Sequence, residues 1–100
     1  MKGIRILLVD RDPKTLGNMK FRLETYGFRV KVAASSDEAL ELIRDNIFDV
    51  ALTGMSPSRE ENQDSFRKMR RALPNLRIII LPQIREEDAA MVASVAAAAS

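Results

Sequence analysis

The sequence predicts an α/β domain: an open, parallel sheet with helices on both faces. Three observations predict it. Short apolar runs alternate with stretches of helical spacing, in the order β-α-β-α-β-α-β-α. Three of the four strand-like runs are apolar almost throughout, as strands covered on both faces are. The chain has 100 residues, 46% of them hydrophobic, with no low-complexity polar tract, which is enough for one small core.

Ile4 to Val9 forms the first strand. Asp12 then stands as an N-cap with Pro13 at the first helical position. Leu16, Met19, Leu23 and Tyr26 follow at helical spacing, and Gly27 ends the helix at the C′ position. Phe28, Val30 and Val32 alternate with Arg29 and Lys31, the pattern of an edge strand with one solvated face. Ser35 and Glu38 make a capping box for a second helix, with Ala39, Leu40, Leu42 and Ile43 as its buried side and Asp45-Asn46 as its end. Phe48 to Thr53 is a third strand, and Gly54 to Gln63 reads as a loop. The third helix is expected from about Asp64 to Leu73, with Phe66, Met69 and Leu73 inward. Ile78 to Leu81 reads as a central strand, and Arg85 to Asp88 opens a fourth helix carrying Met91, Val92 and Val95.

Composition removes several functions. Sixteen basic and 14 acidic residues leave a net charge of +2, so nucleic-acid binding by this domain alone is not expected. There is no Cys and no His. Disulfides, thiolate nucleophiles, the usual zinc ligands and the commonest general base are therefore excluded. No paired nucleophile and base is found, so an enzyme is not expected. The turn "VDRDP" has no glycine and no Walker lysine motif occurs, so no nucleotide cofactor is expected. No apolar run approaches a membrane span and no signal peptide opens the chain; the expected location is the cytoplasm.

Functional sites in such sheets lie at the carboxyl ends of the strands. Those ends are Asp10 to Asp12, Ala33 to Ser35, Thr53 to Met55, and Leu81 to Gln83. Four stretches, "ILLVDRDP", "LETYGFRVKVAASSDEALELI", "FDVALTGMSPS" and "FRKMRRALPNLRIIILP", together resemble the receiver domain of bacterial two-component response regulators. The resemblance covers most of the chain, in order. It implies a flavodoxin-like fold with strand order 2-1-3-4, one domain over residues 1–100, and a fifth strand and last helix absent from this chain. It also implies a place in signal transduction or phosphorelay, beside a signalling protein or a fused output domain.

The family's chemistry uses a carboxylate at the end of the third strand as phosphoryl acceptor and two acids after the first strand to hold Mg²⁺. A hydroxyl ends the fourth strand and a lysine the fifth. Set against that pattern, Asp10 matches the first acid and Arg11 stands where the second belongs. Asp12 is the next residue and doubles as a helix cap, Gly54 occupies the acceptor position, and Pro82 stands where the hydroxyl belongs. Glycine has no nucleophile; its bland reading is a backbone angle at a strand-to-loop turn. Unit charges about 4 Å apart interact by about 4 kcal/mol at an effective dielectric near 20, so a guanidinium in place of a ligand carboxylate leaves a poor cation site. Arg11 either swings out to solvent or pairs with Asp10. The expected protein is a degenerate receiver, a pseudo-receiver, that is regulated by partner binding without phosphorylation. No cofactor is expected, and Asp10 with Asp12 form at best a weak metal pair. Two alternatives stand beside it: a phosphorelay receiver with Asp10 or Asp12 as acceptor, and an anion sensor using the emptied pocket.

A central-type strand left at a sheet edge is a template for pairing. Ile79, Leu81, Met91, Val92 and Val95 are the candidate interface, in a homodimer or against another domain; a chain cut short at its C-terminus is the favoured explanation. The stripe Arg67, Lys68, Arg70 and Arg71 reads as a solvated helix face.

Overall fold

The computed structural model describes residues 3–55, 58–81 and 83–99. Four strands, β1 (Arg5–Val9), β2 (Arg29–Ala33), β3 (Val50–Thr53) and β4 (Arg77–Ile80), form one sheet. Its order is β2-β1-β3-β4 with every pair parallel, as the sequence implies. The helices are α1 (Pro13–Thr25), α2 (Ser36–Asp45), α3 (Glu60–Ala72) and α4 (Ala89–Ala99), the last preceded by a single 3₁₀ turn over Glu86–Asp88.

Side-chain alternation along the strands builds two cores. Ile4, Ile6 and Leu8 of the first strand region join Leu16, Met19 and Leu23 of α1 and Val92, Ala93 and Ala96 of α4 on one face. Leu7 and Val9 join Ala39 and Ile43 of α2 and Met69 of α3 on the other. β1 lies between β2 and β3, and Ile6, Leu7 and Leu8 are completely buried.

The capping signals act as read. The Asp12 carboxylate accepts from the Lys14 N–H at 3.1 Å and the Thr15 hydroxyl at 2.7 Å, with Pro13 beginning α1. Gly27 holds φ at +95°, in the left-handed region that a side chain disfavours. The Ser35 hydroxyl accepts from the Glu38 N–H at 3.2 Å. The Glu38 carboxylate accepts from the Ala34 N–H, one residue before the cap.

Three expectations shift, and one holds. α3 begins at Glu60, not near Asp64, and its N-cap Arg59 makes no side-chain cap bond. Val32 and Tyr26 are exposed, at an edge strand and a helix end respectively. β4 stands at the sheet edge, as expected of it here: among the described residues it pairs only with β3, and Ile80 is 39% exposed. Within the candidate interface, Val92 is completely buried in the α1 face, whereas Met91 and Val95 are 45% and 41% exposed. Ile79 and Leu81 are partly buried against that same core. The helix presents Val92 with Ala89, Ala93 and Ala96 inward, where the alanines allow close approach, and this turns Met91 and Val95 out.

Candidate functional site

Parallel strands in register deliver their next residues to one rim. β1 and β3 are paired with Val9 opposite Thr53, so Asp10 and Gly54 emerge side by side. The ladder continues into them: the Gly54 N–H donates to the Val9 carbonyl at 2.9 Å, and the Asp10 N–H to the Ala33 carbonyl at 3.1 Å. The Leu81 N–H donates to the Thr53 carbonyl at 2.9 Å, which brings the end of β4 to the same rim.

At this rim Asp10 is half-buried and leans over the glycine. A Cβ built on Gly54 stands 3.3 Å from both Asp10 Cγ and Oδ1, and 3.6 Å from Oδ2. A side chain at position 54 therefore enters the space in front of the Asp10 carboxylate. Gly54 is not among the glycines with positive φ, which are Gly3 and Gly27. The backbone-angle reading of Gly54 is thus corrected: no turn geometry requires glycine there, and what borders it is a carboxylate.

The neighbouring groups are committed locally. Asp10 Oδ1 accepts from the Arg11 backbone N–H at 2.7 Å, and the Arg11 side chain is exposed. Asp12 faces away into its cap; the Thr15 hydroxyl, with help from the Lys14 N–H, holds its carboxyl below the usual range. Thr53 is buried, and its hydroxyl accepts from the Met55 N–H at 2.9 Å. The Ser36 hydroxyl lies 3.2 Å from Met55 Sδ across the loop. Pro82 lies outside the described residues. Asp49, at the opposite end of β3, is far from this rim in the chain of contacts and bonds Arg5 instead.

The site therefore unites Asp10 and Gly54, and separates Asp12 from them by its capping bonds. A receiver's divalent cation needs several oxygen donors around one point. Here glycine contributes no side chain, Asp12 is engaged as a cap, and among the described residues no three His, Cys, Asp or Glu side chains gather at one place. The donor set does not fit the family's Mg²⁺ site. Missed by sequence reasoning was the Thr53 hydroxyl, which ties the loop after β3; its signal was a Thr closing an otherwise apolar strand.

Comparison with known proteins gives consistent results. The response regulator receiver domain family matches residues 6–100. The alginate biosynthesis transcriptional regulatory protein AlgB of Pseudomonas aeruginosa is 30% identical over 87 residues, covering 87% of this chain and 19% of that protein. The chain thus spans about a fifth of the curated relatives it matches. Among solved structures, a response regulator receiver domain protein from Clostridium thermocellum is 33% identical with a TM-score of 0.64, over 76% of this chain and 62% of that one. The receiver domain of the hybrid histidine kinase CckA superposes with a TM-score of 0.72 over 95% of this chain and 97% of that one; at 19% identity it bears on the fold alone. No helix among the described residues is long and apolar enough to cross a membrane.

Proposed function

We propose that this chain, which belongs to the response regulator receiver domain family, is a receiver that transmits signals by binding partners and not by accepting a phosphoryl group. One observation carries this reading. The position whose Cβ points at the Asp10 carboxylate, 3.3 Å away, is a glycine. Phosphoryl transfer to a side chain needs a nucleophile there, and glycine supplies none. The exposed Arg11 beside Asp10 adds positive charge where a divalent cation would need negative donors. The domain works as an interaction module without enzymatic activity or cofactor, joined to or docking on other parts of a signalling protein in the cytoplasm.

The test is intact mass after incubation with acetyl phosphate and Mg²⁺, beside a Gly54→Asp variant. The parent chain is expected to gain no phosphoryl mass. A stoichiometric, Mg²⁺-dependent adduct on the parent chain overturns the reading, and its loss in Asp10→Asn or Asp12→Asn variants then identifies the acid that took over.

A further inference from the structure

The four helices divide two and two across the sheet, and the division leaves one strip open. α1 and α4 cover one face, α2 and α3 the other. A right-handed crossover from β4 to a strand beyond it would carry its helix on the α2–α3 face. Instead α4 packs over α1, so on the α3 side of β4 no described helix follows α3. There Ile78 is half-buried against the α2–α3 core, and Ile80, two residues on and pointing the same way, is 39% exposed.

α3 has a second flank, on the side away from α2. Met69 is buried in the core beneath α2 and α3, and Lys68 and Ala72 line the groove shared with Asp37, Leu40, Glu41 and Arg44 of α2. Arg70 is two residues from both Lys68 and Ala72, so on a helix it points nearly opposite to them, away from α2. On that side Gln63, Phe66, Arg67 and Arg70, at i, i+3, i+4 and i+7, border with Arg71 a shallow, open groove of about 590 Å³ along the surface of α3. Phe66 among them is half-buried. Among the described residues, Arg67, Arg70 and Arg71 have no carboxylate within ion-pair distance, whereas Lys68 bonds Asp64 at 3.1 Å.

We infer that this groove docks an acidic amphipathic helix of a partner protein. Its apolar stripe covers Phe66 and the open strip beside β4, and its carboxylates meet Arg67, Arg70 and Arg71. A helix on this flank meets one aromatic side chain and three arginines, so acidic and apolar residues on one face are the chemistry that fits. The inference rests on the interaction-module reading above and names the chemistry of its partner.

The experiment uses the full chain, isotope-labelled, and a 16-residue helical peptide with leucine at i, i+3, i+4 and i+7 and glutamate elsewhere. Backbone amide shifts are expected at residues 63–71 and 78–80. Phe66→Ala and the pair Arg67→Glu/Arg70→Glu are expected to weaken binding about tenfold or more, with circular dichroism unchanged. A peptide with lysine in place of glutamate is expected to bind the charge-reversed variant in preference to the parent. Absence of binding overturns the inference, as does equal binding of a scrambled peptide, shifts confined to another surface, or preference of the same arginines for an oligonucleotide. The peptide experiment reads the groove alone and the phosphodonor experiment reads Gly54 and Asp10 alone, so either reading can fail without the other.

Discussion

Arg5 and Asp49 clamp the N-terminal ends of β1 and β3. The Arg5 backbone N–H donates to Asp49 Oδ2 at 2.8 Å, its Nε to the same oxygen at 3.2 Å, and its Nη2 to Oδ1 at 3.2 Å. In return the Asp49 N–H donates to the Arg5 carbonyl at 2.9 Å. The fork makes two parallel bonds and the backbone adds a third, so the carboxylate fixes the register of the two central strands from below. Asp49→Asn keeps the shape and removes the charge. Because the pair is partly solvated, the expected loss is about 1 kcal/mol, a fall in Tm of about 4–8 °C for a domain this size, read by thermal melts.

The same clamp sets a pH dependence. The Arg5 side chain holds the Asp49 carboxyl below its usual range against an opposing effect of burial. Asp12 is lowered as well, by its Thr15 and Lys14 bonds. A carboxyl whose folded pKa is depressed contributes stability that is complete above the unfolded value, near pH 4, and is lost as pH falls through the folded value. Urea midpoints of the parent chain are expected to be steady from about pH 7 to pH 5 and to fall below about pH 4. The gap between parent and Asp49→Asn is expected to close over the same acid range. A gap that persists at the acid end contradicts the assignment.

Gly54 and Asp10 form a two-residue cycle. With an ordinary φ at position 54, alanine reduces the freedom of the unfolded chain and is worth about 0.4–1 kcal/mol. The Asp10 carboxylate opposes that gain, since it lies 3.3 Å from the new Cβ. Gly54→Ala is therefore expected to stabilise the Asp10→Ala background and to stabilise the parent less or not at all. Four urea titrations give the coupling directly, and additivity of the two changes rejects the contact.

Neighbouring residues of α4 are expected to behave oppositely. Val92→Ala opens a fully buried site and is expected to cost about 2 kcal/mol. Met91→Ser, at a position 45% exposed, is expected to change stability by less than about 0.5 kcal/mol. Equal losses in a denaturant series place α4 on a different face from the one described.

Two glycines make the last contrast. Gly27→Ala forces a side chain into φ of +95° and is expected to destabilise by about 1 kcal/mol or more. Gly17 is exposed within α1 and a Cβ there meets nothing within 4 Å, so Gly17→Ala is expected to raise stability by about 1 kcal/mol. Melting temperatures of the two variants, run together, decide it.

These particulars also show what sequence patterns could reach. Asp12-Pro13, Gly27 and Ser35 with Glu38 were legible because each cap is a local bond between residues a few positions apart. Strand order came through the receiver resemblance, not through periodicity. The start of α3 was hidden because Arg59 offers no capping oxygen and the acidic, polar Glu60 to Gln63 look like loop. The face chosen by α4 was hidden for another reason: a helix of alanines with scattered Met and Val has no apolar stripe to orient it. At the site, Asp10 and Gly54 could be named from the sequence, but their closeness, and the ordinary backbone at Gly54, are properties of strand register and φ that no spacing reveals.

The place of β1 has a consequence for biosynthesis. It is made before the other three strands, yet it sits in the middle of the sheet, with Arg5 to Val9 pairing Arg29 to Ala33 on one side and Ile6 to Val9 pairing Val50 to Thr53 on the other. At about 5–20 residues per second, the ribosome leaves Ile6 to Val9 without their second partner for roughly 2–9 s after they are synthesised. The lid of α4 over α1 comes later still, from residues beyond Ala89. Ile6 to Val9, an unbroken apolar run, therefore waits on both a later strand and a later helix before it is fully covered, and it is open to a nascent-chain chaperone in that interval.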